Sequence, residues 1–142
     1  MADYPRKDDC IFCKIVAGNI PAAVIHDDDR IMAFMDAFPS SRGHALVIPK
    51  GHYQTILEIP PDLQTACSLM AQRIARAADQ VFRPEGISIL QFNGEAAGQT
   101  VFHYHQHIIP RWQEKNWSVH GKEQADAAEL KAQAEQLRAA LA

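Results

Sequence analysis

Three histidines alternate with other residues in the pentad HYHQH, at positions 103, 105 and 107. In a β-strand, next-but-one side chains lie on the same face about 6.6 Å apart. His103, His105 and His107 are therefore predicted to share one face of a strand. Each imidazole needs partners for two ring nitrogens, so three of them are difficult to bury side by side as ordinary core residues. The pattern favours a functional role.

Two kinds of chemistry fit this triplet. Histidines at alternate positions of a strand can present two nitrogens to one metal ion. Alternatively, imidazole is a nucleophile in covalent catalysis, and at its ordinary pKa of about 6.5 most of it is neutral at pH 7. A neighbouring histidine could then act as an acid toward the leaving group, which is worth about 10²–10⁴ in rate. The triplet by itself leaves both interpretations open.

The loop before the triplet favours a phosphate ligand. Residues 93–100 read NGEAAGQT. The two glycines let backbone N–H groups approach an anion, and Gln99 and Thr100 add side-chain donors. An Asn-Gly hairpin turn also accounts for the first glycine, but eight residues exceed what a tight turn needs. A phosphate lying against His105 would use both the loop and the triplet.

A second cluster of candidate ligands lies near the N-terminus, where Cys10 and Cys13 form a C-x-x-C pair. This spacing supplies half of a tetrahedral zinc site, and two thiols in a short buried helix are the alternative. Cys67 falls on the apolar stripe of a predicted helix and is interpreted as a buried hydrophobic residue. An odd number of cysteines in a reducing compartment argues against a disulfide framework.

Hydrophobic patterning predicts the elements that position these residues. A short helix is predicted over residues 11–17, and short apolar runs predict strands over 23–26, 31–35, 45–48, 87–92 and 101–109. Apolar residues every three or four positions predict a long helix that begins near Asp62, its expected N-cap, and stops before Pro84. A C-terminal amphipathic helix is predicted over 130–141. These elements predict an α+β fold whose five-stranded sheet is mostly antiparallel.

Length, composition and charge narrow the class of protein. The chain has 142 residues, of which 47% are hydrophobic and 22% charged, which is typical of one soluble globular domain over residues 1–142. The net charge of −3 and the lack of a Lys/Arg block argue against a nucleic-acid partner. The N-terminus is polar and the chain contains no long apolar run, so no membrane association and a cytoplasmic location are expected.

Three segments of the chain resemble the histidine triad (HIT) family. GQTVFHYHQHIIPR is similar to the family signature, in which three histidines alternate with apolar residues; CIFCKIVAGNIPA resembles the N-terminal segment and DDRIMAFMDAFPSSRGHALVIPKGH the central block. The resemblance covers most of residues 10–111, and residues 112–142 form a divergent C-terminal extension. It is closest to the nucleoside phosphoramidase branch. Gln106 stands where the family usually has an apolar residue and is expected to affect packing or an interface.

The resemblance implies a catalytic role for each of four histidines. His105 would attack an α-phosphorus to form a nucleotidyl-histidine, which water then hydrolyses. The backbone carbonyl of His103 would hold the Nδ1–H of His105 and free its Nε2 for attack. His107 would contact the phosphate and leaving group, and His44 would support the triad from a neighbouring strand.

The resemblance also implies the residues that bind a purine nucleotide. Asp36 would accept hydrogen bonds from the ribose, Asn93 would lie near sugar and phosphate, and Gln99 and Thr100 would line the phosphate. The apolar pocket for the base would comprise Phe12, Ile15, Ile20 and Phe34, which by their residue types alone would be assigned to the core.

A structural zinc and a homodimer follow from the same resemblance. In some bacterial members of the family, a histidine after a Pro-Lys dipeptide and the first triad histidine complete the zinc site, which here gives Cys10, Cys13, His52 and His103. The implied activity is hydrolysis or transfer at the α-phosphate of purine nucleoside phosphoramidates or adenylates. Cleavage of dinucleoside polyphosphates is one alternative, and a non-enzymatic module that binds zinc and nucleotide is another.

Overall fold

The computed structural model describes residues 4–113 and 118–141. Trp117, which the sequence left without a role, lies outside the described residues. The helices and strands follow the chain in this order: α1 (Ile11–Val16), β1 (Val24–Asp27), β2 (Ile31–Met35), β3 (Ala45–Pro49), α2 (Pro61–Phe82), β4 (Gly86–Leu90), a 3-10 turn (Glu95–Ala97), β5 (Gln106–Arg111) and α3 (Ala127–Ala140). Within these residues, no helix is both long enough and apolar enough to cross a membrane.

The five strands form one sheet in the order β1-β2-β3-β5-β4. Every pairing between neighbouring strands of this sheet is antiparallel. The predicted α+β fold with its long helix and C-terminal helix is thereby confirmed. Strand β5 lies between β3 and β4 and is hydrogen-bonded along both of its edges. His107, the last histidine of the triplet, therefore lies on an inner strand of the sheet.

The two faces of the sheet bury different sets of side chains. One face packs against α2 and α3 around a core that includes Val47, Ile74, Tyr104 and Ile108. The other face carries a smaller cluster with α1, formed by Cys10, Phe12, Cys13, Met32, Phe34, Leu46 and Ile48. Strands β2 and β3 are buried on both faces, which explains their continuous apolar sequences. The histidines face the side that carries the smaller cluster.

The histidine strand begins later than the pattern predicts. We expected a strand over residues 101–109, whereas β5 starts at Gln106. The neighbouring strand β3 ends at Pro49, which has no N–H to donate. The Pro49 carbonyl instead accepts a hydrogen bond from Nε2 of His103 at 2.8 Å. Two of the three histidines therefore precede the regular strand.

The start of α2 also differs from the prediction. Pro60 occupies the N-cap position, and Asp62, the expected cap, lies in the first turn. A carboxylate in the first turn still interacts favourably with the helix dipole. The carboxylate of Asp62 also forms an ion pair with Arg30 at 3.2 Å. The helix ends at Arg83, which adopts a left-handed conformation before Pro84.

Gln106 lies on the helix-facing side of the sheet, opposite the histidines. Its side chain is buried and donates to the hydroxyls of Ser68 on α2 and of Tyr104, at 3.0 and 2.9 Å. These bonds satisfy the amide nitrogen of a buried polar group, which would otherwise cost stability. The departure from the family pattern is thus accommodated by packing between sheet and helix. Trp112, whose role the sequence left open, packs half-buried against the larger core.

Candidate active site and metal centre

His105 is held in one tautomer by the backbone. Its Nδ1 lies 2.7 Å from the carbonyl oxygen of His103. A carbonyl can only accept, so Nδ1 must carry the proton, and Nε2 is left with a free lone pair. Burial lowers the pKa of His105, so the ring stays neutral at pH 7. This arrangement presents an unprotonated nitrogen on a nearly buried side chain.

His107 is held in the opposite tautomer by a short chain of hydrogen bonds. The backbone N–H of Ser40 donates to Nδ1 of His44 at 2.9 Å, so the proton of neutral His44 resides on Nε2. That Nε2 lies 2.9 Å from Nδ1 of His107, which must accept. The proton of His107 therefore resides on Nε2, a buried atom with no hydrogen-bond partner among the described residues. Burial lowers the pKa of His44 to about 3 and that of His107 to about 2, so both are neutral.

The rings of His105 and His107 lie side by side, with centroids 4.9 Å apart. One offers a lone pair and the other an N–H. A tetrahedral phosphate presents both an electrophilic phosphorus and acceptor oxygens. The pair can therefore contact the two kinds of atom in one ligand at the same time.

Asp36 follows β2 and lies beside this chain of hydrogen bonds. Its carboxylate accepts the N–H of Phe38 at 2.8 Å, and its second oxygen is 3.5 Å from Nε2 of His44. Burial raises the pKa of Asp36. The ligand atoms of Asp36, His44 and His107 lie within 4.8 Å of one another, but a metal there would need the lone pairs that already accept from Ser40 and His44. This donor set therefore fits a hydrogen-bond relay better than a metal ion.

The residues predicted to hold the base lie on the opposite side of His105. Phe12 contacts the His105 ring edge-on at 5.1 Å and the Phe34 ring at 5.5 Å. Ile15 packs half-buried against the same cluster, and Ile20 is half-buried on the loop after α1. An apolar wall thus borders the candidate nucleophile on the side away from His107.

The loop residues predicted to contact phosphate are already hydrogen-bonded within the protein. Gln99 is buried; its carbonyl oxygen accepts the N–H of Gly94 at 2.7 Å, and its amide donates to the carbonyls of Gln54 and Val101. Gln99 therefore holds the loop in place, and contact with a phosphate would require one of these bonds to exchange.

Asn93 and Thr100 are the other two polar residues of that loop. The Asn93 oxygen accepts from the N–H of Ile56 at 2.7 Å and from Gln91, to which its amide also donates. Thr100 is exposed and borders a shallow depression beside Cys10 and His52. The structure thus brings Thr100 close to the cysteines, on the metal-centre side of the histidine cluster.

The four residues predicted to bind zinc come together in space. The ligand atoms of Cys10, Cys13, His52 and His103 all lie within 4.8 Å of one another. The Sγ atoms of Cys10 and Cys13 are 3.4 and 3.6 Å from Nδ1 of His103, and that of Cys13 is 3.4 Å from Nδ1 of His52. Two sulfurs and two imidazole nitrogens are the donor set of a closed tetrahedral zinc site.

The surroundings of the cluster orient its donors. Nε2 of His103 donates to the Pro49 carbonyl at 2.8 Å, so the lone pair of Nδ1 points toward the thiols. Such a second hydrogen bond is usual for a metal-binding histidine. Cys10 is the N-cap of α1 and accepts the Cys13 N–H, which fixes the two sulfurs together. Burial raises the pKa of the Cys13 thiol to about 11 in the protein without metal.

His120 is a neighbour of the site that the sequence pattern missed. Its polar sequence neighbours are typical of a solvated histidine, and it is exposed. Its ring nevertheless lies 5.6 Å from that of His107. The isolated histidine has polar sequence neighbours, and only the path of the chain after β5 brings it here. His26 lies outside this cluster, and its Nε2 is hydrogen-bonded to the carboxylate of Asp28 at 2.6 Å.

The antiparallel sheet carries two adjacent histidines of opposite tautomer, and a cluster of two cysteines and two histidines lies beside them. These features define an α+β protein with a histidine-based candidate active site and a candidate metal centre. The chain belongs to the HIT family: the HIT domain model matches residues 17–114. Proteins of this family bind nucleotides and include nucleotide hydrolases and transferases.

Three relatives illustrate the similarity. The protein called "Protein hit" of Bacillus subtilis is 47% identical over 105 residues, which are 74% of this chain and 72% of the relative. Adenylylsulfatase HINT3 of Arabidopsis thaliana is 41% identical over 74% of this chain and 53% of its own length. The crystal structure of a zinc-bound histidine triad family protein from Mycobacterium smegmatis is 38% identical with a TM-score of 0.82, covering 94% of this chain and 93% of that chain.

The buried histidines predict a loss of stability in acid. Folding lowers the pKa of His44 and of His107 below the ordinary value of 6.5. Each therefore contributes stability that is present above about pH 6.5 and is lost as the pH falls toward the folded pKa. Each should contribute a slope of about 1.4 kcal/mol per pH unit between about pH 6 and 5.

Denaturant unfolding of wild type and His107→Asn across this range is the measurement. Asparagine keeps an acceptor for the Nε2–H of His44 but does not titrate. The free energy of unfolding of His107→Asn should therefore fall with pH less steeply than that of wild type, by about 1.4 kcal/mol per pH unit. His26→Asn, which changes a half-buried histidine outside the histidine cluster, is the comparison variant. Parallel curves for wild type and His107→Asn would contradict the predicted pKa of His107.

Proposed function

We propose that this protein is a nucleotide hydrolase or transferase that acts at the α-phosphate of purine nucleoside phosphoramidates or adenylates. The observation that carries the proposal is the pairing of an unprotonated Nε2 on His105 with a protonated Nε2 on His107. A protein that only binds nucleotide has no need of a buried nucleophile. The name of the Arabidopsis relative, an adenylylsulfatase, supports chemistry on adenylates.

In the proposed reaction, Nε2 of His105 attacks the α-phosphorus. A phosphorus–nitrogen bond forms and the bond to the leaving group breaks; the leaving group accepts a hydrogen bond from the Nε2–H of His107 and takes its proton from solvent. Water then attacks the nucleotidyl-histidine and breaks the phosphorus–nitrogen bond, which releases the nucleoside monophosphate and one proton to solvent and regenerates neutral His105. The carbonyl of His103 holds the nucleophile in the reactive tautomer throughout.

Nucleotide binding would use the remaining predicted residues. Asp36 would accept hydrogen bonds from the ribose; its carboxylate is 3.5 Å from Nε2 of His44, so the sugar would lie beside the relay. The wall of Phe12 and Phe34 would contact the purine. Asn93, Gln99 and Thr100 would shape the loop that borders the phosphate. These nucleotide-binding roles are the ones that the family resemblance implies for the matching residues of this chain.

We also propose that zinc binds at Cys10, Cys13, His52 and His103 as a structural ion. The donor set fits zinc, and a zinc-bound structure exists among the relatives. Four protein ligands leave no position for substrate or water, so the ion would provide cross-linking between α1, the turn after β3 and the segment before β5. His105 and His107 remain outside the ligand set.

A comparison of substrates tests the proposed activity. A fluorogenic adenosine phosphoramidate, an acyl adenylate, adenylyl sulfate and diadenosine tetraphosphate would be offered at equal concentration. We expect the first three to be hydrolysed with release of AMP and with the highest kcat/KM for the phosphoramidate or an adenylate. Preference for diadenosine tetraphosphate would support the polyphosphate alternative. Nucleotide binding without turnover of any substrate would support the non-enzymatic module.

A homodimer is the assembly we propose. In the family resemblance, the long helix and a sheet edge form the interface, and here β4 is an edge strand with a half-exposed surface. Ile89 on β4 and Leu69 on α2 are about half exposed, as apolar residues of an interface would be in one protomer. Light scattering at micromolar concentration measures the mass, and a value near 15.8 kDa would count against a dimer.

A further inference from the structure

The segment of residues 118–125 lies along the turn that follows β2. The Gly121 N–H donates to the carbonyl of Phe38 at 3.0 Å. The hydroxyl of Ser40 bonds the carbonyl and the hydroxyl of Ser118 at 2.7 and 2.9 Å. These contacts attach the segment to the same turn whose Ser40 N–H orients His44. The segment is therefore held against the rim of the histidine cluster.

Gly121 is required for this close approach. A Cβ atom added at Gly121 would lie 2.0 Å from the backbone oxygen of Pro39. Real Cβ atoms do not come that close to a backbone oxygen, so any larger residue would displace the segment. The path of the chain at residues 118–125 thus depends on a glycine at position 121.

This path brings His120 to the end of a row of rings. Phe34 contacts Phe12, Phe12 contacts His105, His105 contacts His107, and His107 contacts His120, with centroid distances of 5.5, 5.1, 4.9 and 5.6 Å. The apolar end of the row is the proposed base pocket. The rings of His44 and Phe92 also contact His107, and His120 borders this same ring, beside which the phosphate of the proposed substrate would lie.

A hydrogen-bond donor of His107, which lies beside His120, has no partner among the described residues. This donor is the buried Nε2–H. The His120 ring is exposed beside that of His107, so it is accessible to a ligand that binds there. Burial is the main cause that lowers the pKa of His44, His105 and His107, and the nearby His120 lowers each of them further.

We propose that His120 is a substrate-contacting residue that donates a hydrogen bond to a phosphate oxygen of the bound nucleotide, next to the Nε2–H of His107. The inference rests on the proposed function and adds a phosphate contact to it. His120 lies beyond residues 17–114, which the HIT domain model matches. The contact would therefore be supplied by the C-terminal extension.

Calorimetric binding of AMP and of adenosine tests this contact, because only AMP carries the phosphate. We expect His120→Ala to raise the Kd of AMP about tenfold, the typical loss of one charge-assisted hydrogen bond, and to leave the Kd of adenosine within about twofold. His120→Gln keeps an N–H donor and should stay within about threefold of wild type for AMP. His26→Ala, at a half-buried histidine outside the site, should change neither value.

A backbone variant tests the same contact without altering the imidazole. Gly121→Ala should displace the segment and weaken AMP binding about as much as His120→Ala. The double variant should show no further loss, since both changes remove one interaction. Gly86→Ala is the matched control, because a Cβ at Gly86 meets no atom within 4 Å, and it should bind AMP as wild type does.

The possible outcomes distinguish a failure of the His120 phosphate contact from a failure of the proposed enzymatic function. Equal weakening of AMP and adenosine by His120→Ala, or AMP binding that is unchanged by it, would overturn the phosphate contact while the proposed function stands. Wild-type protein that binds AMP but hydrolyses no substrate would overturn the enzymatic function and leave the contact measurable by binding. Wild-type protein that binds neither nucleotide nor nucleoside would overturn both.

Discussion

Replacement of His105 by alanine should lower kcat/KM for an adenosine phosphoramidate by about 10⁴-fold or more, with AMP binding retained. A reaction that proceeds through a covalent intermediate loses its pathway when the nucleophile is removed, and such losses reach about 10⁶-fold in other enzymes. AMP binding depends on the base pocket and on phosphate contacts elsewhere in the site, so it should change little. Steady-state kinetics and calorimetry on the same preparations give the two values.

A second variant separates chemistry from folding. The His105 ring is buried and its Nδ1–H bonds the His103 carbonyl, so alanine leaves a small cavity and an unpaired carbonyl. His105→Asn supplies an N–H for that carbonyl but has no nucleophilic nitrogen. It should be as inactive as the alanine variant and closer to wild type in melting temperature.

Trapping the intermediate identifies the nucleophile directly. Wild type mixed with substrate and quenched in base, in which a phosphorus–nitrogen bond to histidine survives, should carry a nucleotidyl group on the peptide that contains His105. The same group found on His107 or on His44 would refute the assignment. Turnover by His105→Asn near the wild-type rate would refute covalent catalysis by this residue.

Loss of the zinc ligands should have the largest effect on stability. Cys13→Ser is expected to abolish stoichiometric zinc and to lower the melting temperature by about 10 °C or more. The proposed ion connects four side chains from three separate segments, and binding that is coupled to folding contributes its free energy to stability. For a chain of this size, a loss of about 3–5 kcal/mol corresponds to a shift of that order. Elemental analysis and calorimetry measure the two quantities.

Cys67→Ser is the matched control for this change. Cys67 is fully buried on α2, and burial raises its pKa to about 12. A serine there also places a hydroxyl in the core, so some stability should be lost, but zinc content should remain at one ion per chain. The comparison separates the cost of a buried Cys→Ser change from the cost of losing the metal.

The effect on turnover distinguishes a structural ion from a catalytic one. At a temperature where Cys13→Ser remains folded, it should keep a measurable fraction of wild-type activity, because the ligand set excludes His105 and His107. Zinc affinity should fall as the pH drops, since protons compete for the thiolates. Full zinc occupancy after replacement of both Cys10 and Cys13 would contradict the site. Chelation that stops turnover without lowering stability would make the ion catalytic.

Much of the fold follows from patterns that lie close together in the sequence. The three- and four-residue spacing of apolar side chains determined α2, and short apolar runs determined where strands β1 to β3 lie. The alternation of the histidines and the spacing of Cys10 and Cys13 identified both candidate sites. These signals are readable because each depends on the local periodicity of a helix, a strand or a short ligand motif.

The tertiary structure decided the features that depend on partners distant in sequence. The tautomer of His107 depends on His44, 63 positions away, and the orientation of the His103 ring depends on the carbonyl of Pro49, 54 positions away. The local periodicity of the sequence does not encode such pairs. It also does not encode the hydrogen bond from the side-chain amide of Gln99 to the carbonyl of Gln54.

The position of His120 is the clearest case. Its sequence neighbours are polar, and in the linear chain it resembles any solvated histidine. Only the contact of Gly121 with the backbone after β2, which the absence of a side chain permits, brings it beside His107. The sequence by itself thus determined which residues are chemically capable and which elements carry them. The proton positions, the hydrogen-bond partners and the last histidine of the cluster were decided by long-range packing, because each depends on atoms that only the folded chain brings within reach.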